Sequence, residues 1–401
     1  MSLQTLSCRV FQRGLSLGMH LLPWRTPAVL SGAGSLMQLP GILAHEDASR
    51  PLIVASRRQC AQAHFLALRR SLEGHGIRPS IFSELHPDPD IETVEKIAAQ
   101  YRTDNCDSLL AIGGGSAIDA AKAAAARIVR PDRTVDQLSG LLNVCRTLPL
   151  LIAVPTTAGS GSEATIAAVI TDAEHRKHAI SDICLIPRYA ILDPALTRSL
   201  PPDITAQTGM DALTHAVEAA LNLYYNTRET RALAESAVCR IVRYLPVACR
   251  DDSSLTAREQ LLRASFDAGR AFTRASVGNV HAIAHALGGR YGIAHGLACA
   301  VTLPVVLEDY GEAVIPQLSR LGGLIGSSGT QREQANGFLA ALRAMSASLS
   351  LPNHLSCIRS EDIPFLAAQA AAEANPLYPV PVIYDRDRFC RIIEQLRRPQ
   401  P

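Results

Sequence analysis

Between Pro51 and Val154 short apolar runs alternate with stretches of helical spacing, and beyond about residue 203 such runs stop. This change of pattern constrains the fold more than any other feature of the chain. The runs are Pro51–Ala55, Ile81–Phe82, Ser108–Ile112 and Leu148–Val154, all of strand length. Between them, Ala61–Glu73, Ile91–Arg102 and the Ala-rich Ser116–Val129 read as helices. Unbroken apolar strands alternating with helices predict a parallel sheet covered on both faces. From Asp203 to Pro401 apolar residues recur at helical spacing without a convincing strand. The chain is therefore expected to form an α/β domain over 1–202, with 1–26 as a lead-in, and an all-α domain over 203–401. The boundary falls at Leu200-Pro201-Pro202.

Composition narrows the function. A net charge of +2 gives no case for nucleic acid or acidic partners, and 4% aromatic residues weaken any case for base stacking. No stretch approaches the ~20 apolar residues that span a bilayer. Ten cysteines lie scattered without a Cys-x-x-Cys pair, which reads as reduced thiols in a cytoplasmic protein. Residues 1–45 contain no Asp or Glu but carry Arg9, Arg13 and Arg25. That is weakly like an organellar transit peptide; the favoured reading is a short cationic helix packing on the body, with Leu3, Leu6 and Val10 at helical spacing.

Metal-type side chains cluster in the second half. Asp211 and His215 sit four residues apart in a run of good helix formers, on one helix face. His281 and His285 repeat the spacing, and His295 follows a Gly288-Gly289 break expected to end that helix. One such histidine is most often a core residue. Three imidazoles and a carboxylate together suit a borderline divalent ion such as Fe²⁺ or Zn²⁺. Structural zinc would use thiolates, and only Cys299 lies near these positions.

Two loops suit a dinucleotide. Strand Ser108–Ile112 runs into Gly113-Gly114-Gly115-Ser116, where backbone N–H groups and a helix N-terminus favour a pyrophosphate and Ser116 can cap the helix. Alone, this is equally a tight turn. Strand Leu148–Val154 ends in Pro155-Thr156-Thr157-Ala158-Gly159-Ser160-Gly161-Ser162, at the strand end where open α/β sheets bind ligands. Its hydroxyls suit phosphate and carboxamide, although a Ser/Gly-rich surface loop reads the same way.

With both loops and the metal set on one chain, the sequence resembles the iron-containing, or group III, alcohol dehydrogenase family. The resemblance runs from about Pro27 to beyond Pro376. It is carried by Gly32-Ala-Gly34, Gly113-Gly-Gly-Ser116 with Asp119 and Lys122, Pro155-Thr-Thr-Ala-Gly-Ser160, Asp193-Pro194, Gly209-Met-Asp-Ala-Leu-Thr-His215, and His281 through His295-Gly296. The resemblance implies a Rossmann-like domain followed by an all-helical one. It implies one divalent metal, Fe²⁺ or Zn²⁺, held by Asp211, His215, His281 and His295, with His285 near the nicotinamide. Gly114, Gly115, Ser116, Asp119, Thr156, Thr157, Ser160 and Lys177 match cofactor-binding positions, and Phe272 matches a pocket-lining position. The implied reaction is NAD(P)(H)-linked hydride transfer between nicotinamide C4 and an alcohol or carbonyl held at the metal. His285 would relay the proton, with Asp211 and His281 at the reacting centre. A homodimer or larger homo-oligomer is expected by analogy, with a small alcohol or aldehyde as substrate and neither nucleic acid nor membrane as partner.

The chain departs from the pattern at two positions. Where NAD-preferring members often carry Asp after the first Rossmann strand, this chain carries Ser56 with Arg57 and Arg58. A 2′-phosphate would be welcome there, so NADP(H) is slightly favoured, or dual use; the arginines also read as solvated helix-start residues. Arg274 replaces a small polar residue and either faces an anionic substrate or reaches solvent. Two relatives of the fold offer other chemistry. A dehydroquinate-synthase-like lyase would need several phosphate-binding cations, of which only Arg274 and Arg290 are near the set. A maleylacetate reductase-like enzyme would usually lack the full ligand set.

Overall fold

Six strands pair in parallel: β1 (Ala28–Ser31), β2 (Pro51–Val54), β3 (Ser80–Phe82), β4 (Ser108–Gly113), β5 (Leu150–Pro155) and β6 (Tyr189–Leu192), in the order β1-β6-β5-β4-β2-β3. The structure, a computed structural model, describes residues 3–172 and 177–398. The strand period of two splits the central strands between two cores. Leu52, Val54, Leu109, Ala111, Leu151 and Ala153 join the core that contains Val94, Ile97 and Ile118. Ile53, Ala55, Leu110, Ile112, Ile152 and Val154 join the core that contains Leu39, Phe65 and Leu68. Helices therefore cover both faces, which is why these strands read as continuous apolar runs.

Strands β1 and β6 are not among the expected runs. Each has four residues, and β1 forms the sheet edge with Ala28 and Val29 exposed. A second sheet, equally unforeseen, joins Gly140–Leu141, Ala167–Thr171 and Lys177–Ser181. Its two longer strands pair antiparallel, from Ala167 opposite Ser181 to Thr171 opposite Lys177.

The helices used below are α1 (Leu3–Met19), α2 (Gly115–Val129), α3 (Pro202–Leu221), α4 (Leu255–Ala275), α5 (Asn279–Tyr291), α6 (His295–Tyr310) and α7 (Ile363–Ala374). From Pro202 onward every described regular element is helical. Contacts divide the chain into two units. One comprises 23–200 and 252–266; the other comprises 1–22, 201–251 and 267–401. The lead-in thus belongs by its contacts to the helical unit, not to the α/β unit that follows it.

The reason lies in which face of α1 is covered. Leu3, Leu6 and Val10 are 84%, 48% and 64% exposed, so the expected packing face is the outer one. Cys8 and Gln12 are the buried positions. Gln12 Nε2 donates to the carbonyls of Pro376 and Tyr378 at 3.0 and 2.7 Å, and Ser16 Oγ donates to Tyr224 O at 2.7 Å. Arg9 and Arg13 lie over the Tyr224 ring. Polar docking to backbone carbonyls, not an apolar stripe, holds this helix.

Candidate metal centre and cofactor loops

Helix α3 starts on Pro202 and presents Asp211 and His215 on one buried face. Helix α5 contributes His281. It does not end at Gly288-Gly289, as expected, but runs through them to Tyr291. The stop is Gly292, whose φ of 64° is left-handed and suits a residue without Cβ. Three residues later His295 opens α6. A second glycine brings α6 onto α3: a Cβ on Gly296 would lie 2.1 Å from the Gln207 carbonyl oxygen and 3.4 Å from Asp211 Cβ.

Around Asp211 Oδ1 stand His295 Nε2 at 3.3 Å, His215 Nδ1 at 3.7 Å and His281 Nε2 at 3.8 Å. The His215 ring stacks on Phe272 at 4.1 Å and on His281 at 4.3 Å. The His295 ring stacks on His285 at 5.0 Å. Burial would raise the Asp211 pKa, yet His215 and His295 hold it well below the usual carboxylate range. Burial depresses His215 strongly and His295 less so, with Asp211 opposing the shift in both. His281 differs: burial opposes its charge, but Glu218 and Asp211 push it up to about 9.

This arrangement fits a divalent ion. Asp211 Oδ1, His215 Nδ1 and His281 Nε2 are buried without a hydrogen-bond partner among the described residues. Unpaired buried polar atoms are costly, and three facing one point mark a place for a cation. One donor atom each from Asp211, His281, His295 and Cys299 lies within 4.8 Å of all the others. His215 stands outside that quartet, although its ring borders it.

The supports of this site carry no signal in the ligand spacing. Glu218 Oε2 accepts from Gly278 N and His281 Nδ1 at 2.7 and 2.6 Å, while its Oε1 accepts from Val280 N at 2.8 Å. With Nδ1–H donated, Nε2 of His281 faces the site. Glu218 continues the Asp211–His215 face of α3, a signal the sequence did hold. His285 Nδ1 is 2.7 Å from Glu373 Oε1 on α7, which also accepts from the Tyr378 hydroxyl at 2.7 Å. Arg274 is half-buried near the end of α4.

In the α/β unit both loops follow adjacent strands, with Gly113 opposite Pro155 and Thr156 N donating to Gly113 O at 2.9 Å. A Cβ on Gly115 would lie 2.8 Å from Ser160 Oγ, and one on Gly114 3.2 Å from Thr157 Oγ1. Glycine lets the loops touch. Ser116 does not cap α2: the N-cap is Gly114, which has no side chain to offer, and Ser116 lies inside the first turn. Asp119 has both oxygens engaged, by Ser162 Oγ at 2.8 Å and Val169 N at 3.0 Å. Lys177 Nζ is 2.8 Å from Asp88 Oδ1. Ser56, at the end of β2, caps the short helix Arg57–Cys60 by accepting from Gln59 N at 3.2 Å. Arg57 Nη2 lies 3.9 Å from Glu84 Oε1, both exposed.

Residues 26–194 match the model of iron-containing alcohol dehydrogenases, and 205–396 match that of the C-terminal part of the same family. The probable alcohol dehydrogenase EutG of Escherichia coli K12 is 38% identical over 352 residues, covering 86% of this chain and 87% of that protein. The crystal structure of a 1,3-propanediol oxidoreductase superposes with TM-score 0.89 at 30% identity, covering 94% of this chain and 100% of its own. A sulfoacetaldehyde reductase from Bifidobacterium kashiwanohense in complex with NAD+ superposes with TM-score 0.84 at 28% identity, covering 94% and 99%.

Proposed function

Because the chain belongs to the iron-containing alcohol dehydrogenase family, we propose that Asp211, His215, His281 and His295 hold the divalent metal of a nicotinamide-linked alcohol dehydrogenase. The enzyme binds NAD(P) and a divalent metal and acts on small alcohols or aldehydes. Neither a lyase nor an acid-reductase reading is favoured by its relatives. The observation that carries the ligand assignment is the convergence of His215, His281 and His295 on the buried, unpaired Asp211 Oδ1.

When bound, the metal supplies Lewis-acid polarisation of the substrate oxygen, and the nicotinamide supplies or accepts the hydride. The protein's own groups do the rest. Glu218 fixes the His281 tautomer so that Nε2 faces the site. His285, oriented through Nδ1 by Glu373, moves the hydroxyl proton at its other nitrogen toward water. Phe272 packs the His215 ring and walls the pocket on that side, with Arg274 two residues on as a further pocket residue. In the other unit, Gly114, Gly115 and Ser116 present N–H groups at the α2 N-terminus to the pyrophosphate, with Thr156, Thr157 and Ser160 supplying hydroxyls and Lys177 a charge. Asp119 acts by bracing this loop through Ser162. Position 56 itself carries Ser instead of a carboxylate, which supports NADP(H) over NAD(H), although Glu84 lies 3.9 Å from Arg57.

We further propose a cytoplasmic homodimer or larger homo-oligomer. All ten cysteines lie outside disulfides, and no described helix is long and apolar enough to cross a membrane. His281→Ala tests the assignment: folded protein should lose bound metal and turnover together. Normal turnover by metal-free His281→Ala would overturn it.

A further inference from the structure

Resting on the metal centre proposed above, we infer that Cys299 supplies a thiolate to the same ion. Cys299 is fully buried, one turn after His295 on α6, and its Sγ is 3.7 Å from His295 Nε2. The four-residue spacing stacks the two side chains on one face. That face is pinned at the site by Gly296, which allows the first turn of α6 to rest directly on the α3 backbone at Gln207. The sulfur is therefore placed by backbone packing, not by a mobile side chain.

A cysteine beside a histidine is not in itself a ligand. Here the second observation is independent of the sulfur. Asp211 Oδ1 and His281 Nε2 belong to residues only 6% and 1% exposed, make no hydrogen bond among the described residues, and lie within the same 4.8 Å group as the sulfur. Buried polar atoms left without a partner mark a place for a bound ion. The quartet nearest to one another is a carboxylate, two imidazoles and a thiol, with His215 alongside it.

Sulfur changes the chemistry of the set. A thiolate is softer than imidazole or carboxylate and selects Zn²⁺ or Co²⁺ over hard ions. It also adds a second negative charge, so a 2+ ion would be neutralised where one carboxylate leaves +1. The thiol gives its proton to solvent as the sulfur–metal bond forms, and no electron is transferred.

The test uses the full-length protein, stripped of metal and loaded with Co²⁺. The expected absorption spectrum has visible d–d bands and a near-ultraviolet sulfur-to-cobalt charge-transfer band. In Cys299→Ser, and in Cys299→Ala as a second variant, the near-ultraviolet band should vanish while metal analysis still finds one cobalt per folded chain. Zn²⁺ affinity, by chelator competition, should fall at least about tenfold in the same variants. Visible bands without the near-ultraviolet band in the wild type, or a band that persists in both variants, would overturn the thiolate and leave the metal centre standing. A wild-type protein that binds no cobalt would overturn both.

Discussion

In the proposed centre His281 is oriented by Glu218, a residue outside the ligand set. Four-residue spacing on a helix exposed the pairs Asp211–His215 and His281–His285, whereas the proposed ligand set Asp211, His215, His281 and His295 was implied only by the family resemblance. Glu218 was half-legible, since it extends the same face of α3. Glu373 and Tyr378 were not, because spacing says nothing of a partner 88 residues from His285. Glu218→Gln should keep the fold but weaken metal binding about 10–100-fold, as carboxylate partners of metal-bound histidines do; unchanged affinity in a chelator competition would contradict the assigned role. Asp362 provides a pH handle away from the site. Arg290 donates to its Oδ1 at 2.7 Å, while Tyr291 and Arg359 donate to Oδ2 at 2.8 and 2.9 Å, and these hold its pKa at about 2, against an ordinary value of 3.8. The unfolded chain binds the proton first, so the carboxylate's contribution is full above pH 3.8 and is lost as pH falls through about 2. Urea midpoints of wild type and Asp362→Asn should differ at pH 5 and converge toward pH 2; a constant gap would contradict this.

Among the elements, legibility followed burial only in part. Central strands β2, β4 and β5 are among the expected apolar runs, whereas the exposed edge strand β1 is not, and neither is β6, although its Tyr189–Leu192 run is apolar and largely buried. The antiparallel pair lacks the run as well: Ala167–Thr171 alternates between buried and part-exposed positions, and Lys177–Ser181 buries only Ile180. Helix α1 shows the limit of periodicity: Leu3, Leu6 and Val10 mark an apolar face, but the acceptors that dock the helix are carbonyls at Pro376 and Tyr378. At α5 the pair Gly288-Gly289 looked like a stop, yet only Gly292 has the left-handed backbone that ends a helix. Gly296 is the element-scale test. Its added Cβ would meet backbone at 2.1 Å, which cannot swing aside as a side chain could. Gly296→Ala should cost at least about 1–3 kcal/mol by forcing α6 from α3, and should release metal because His295 moves with α6. Thermal unfolding and metal content measure both; a variant with wild-type stability and full metal would contradict the packing argument.

For the whole molecule, the proposed metal site lies within the helical unit and the proposed dinucleotide cradle within the α/β unit. The sequence shows the local part of each, a helix face with Asp211 and His215 in one case and a strand-to-helix turn in the other, while the meeting of three helices and of two loops is tertiary. Activity requires both, so the decisive measurement is oxidation of NADPH and of NADH with a panel of short aldehydes. It is made on protein stripped of metal and then reloaded with Fe²⁺ or Zn²⁺. The account predicts negligible turnover in the stripped protein, restoration by a divalent ion, and faster oxidation of NADPH than of NADH at limiting cofactor because Ser56 presents no carboxylate. Full turnover without metal, or dinucleotide binding with no aldehyde reduced under any metal, would contradict it.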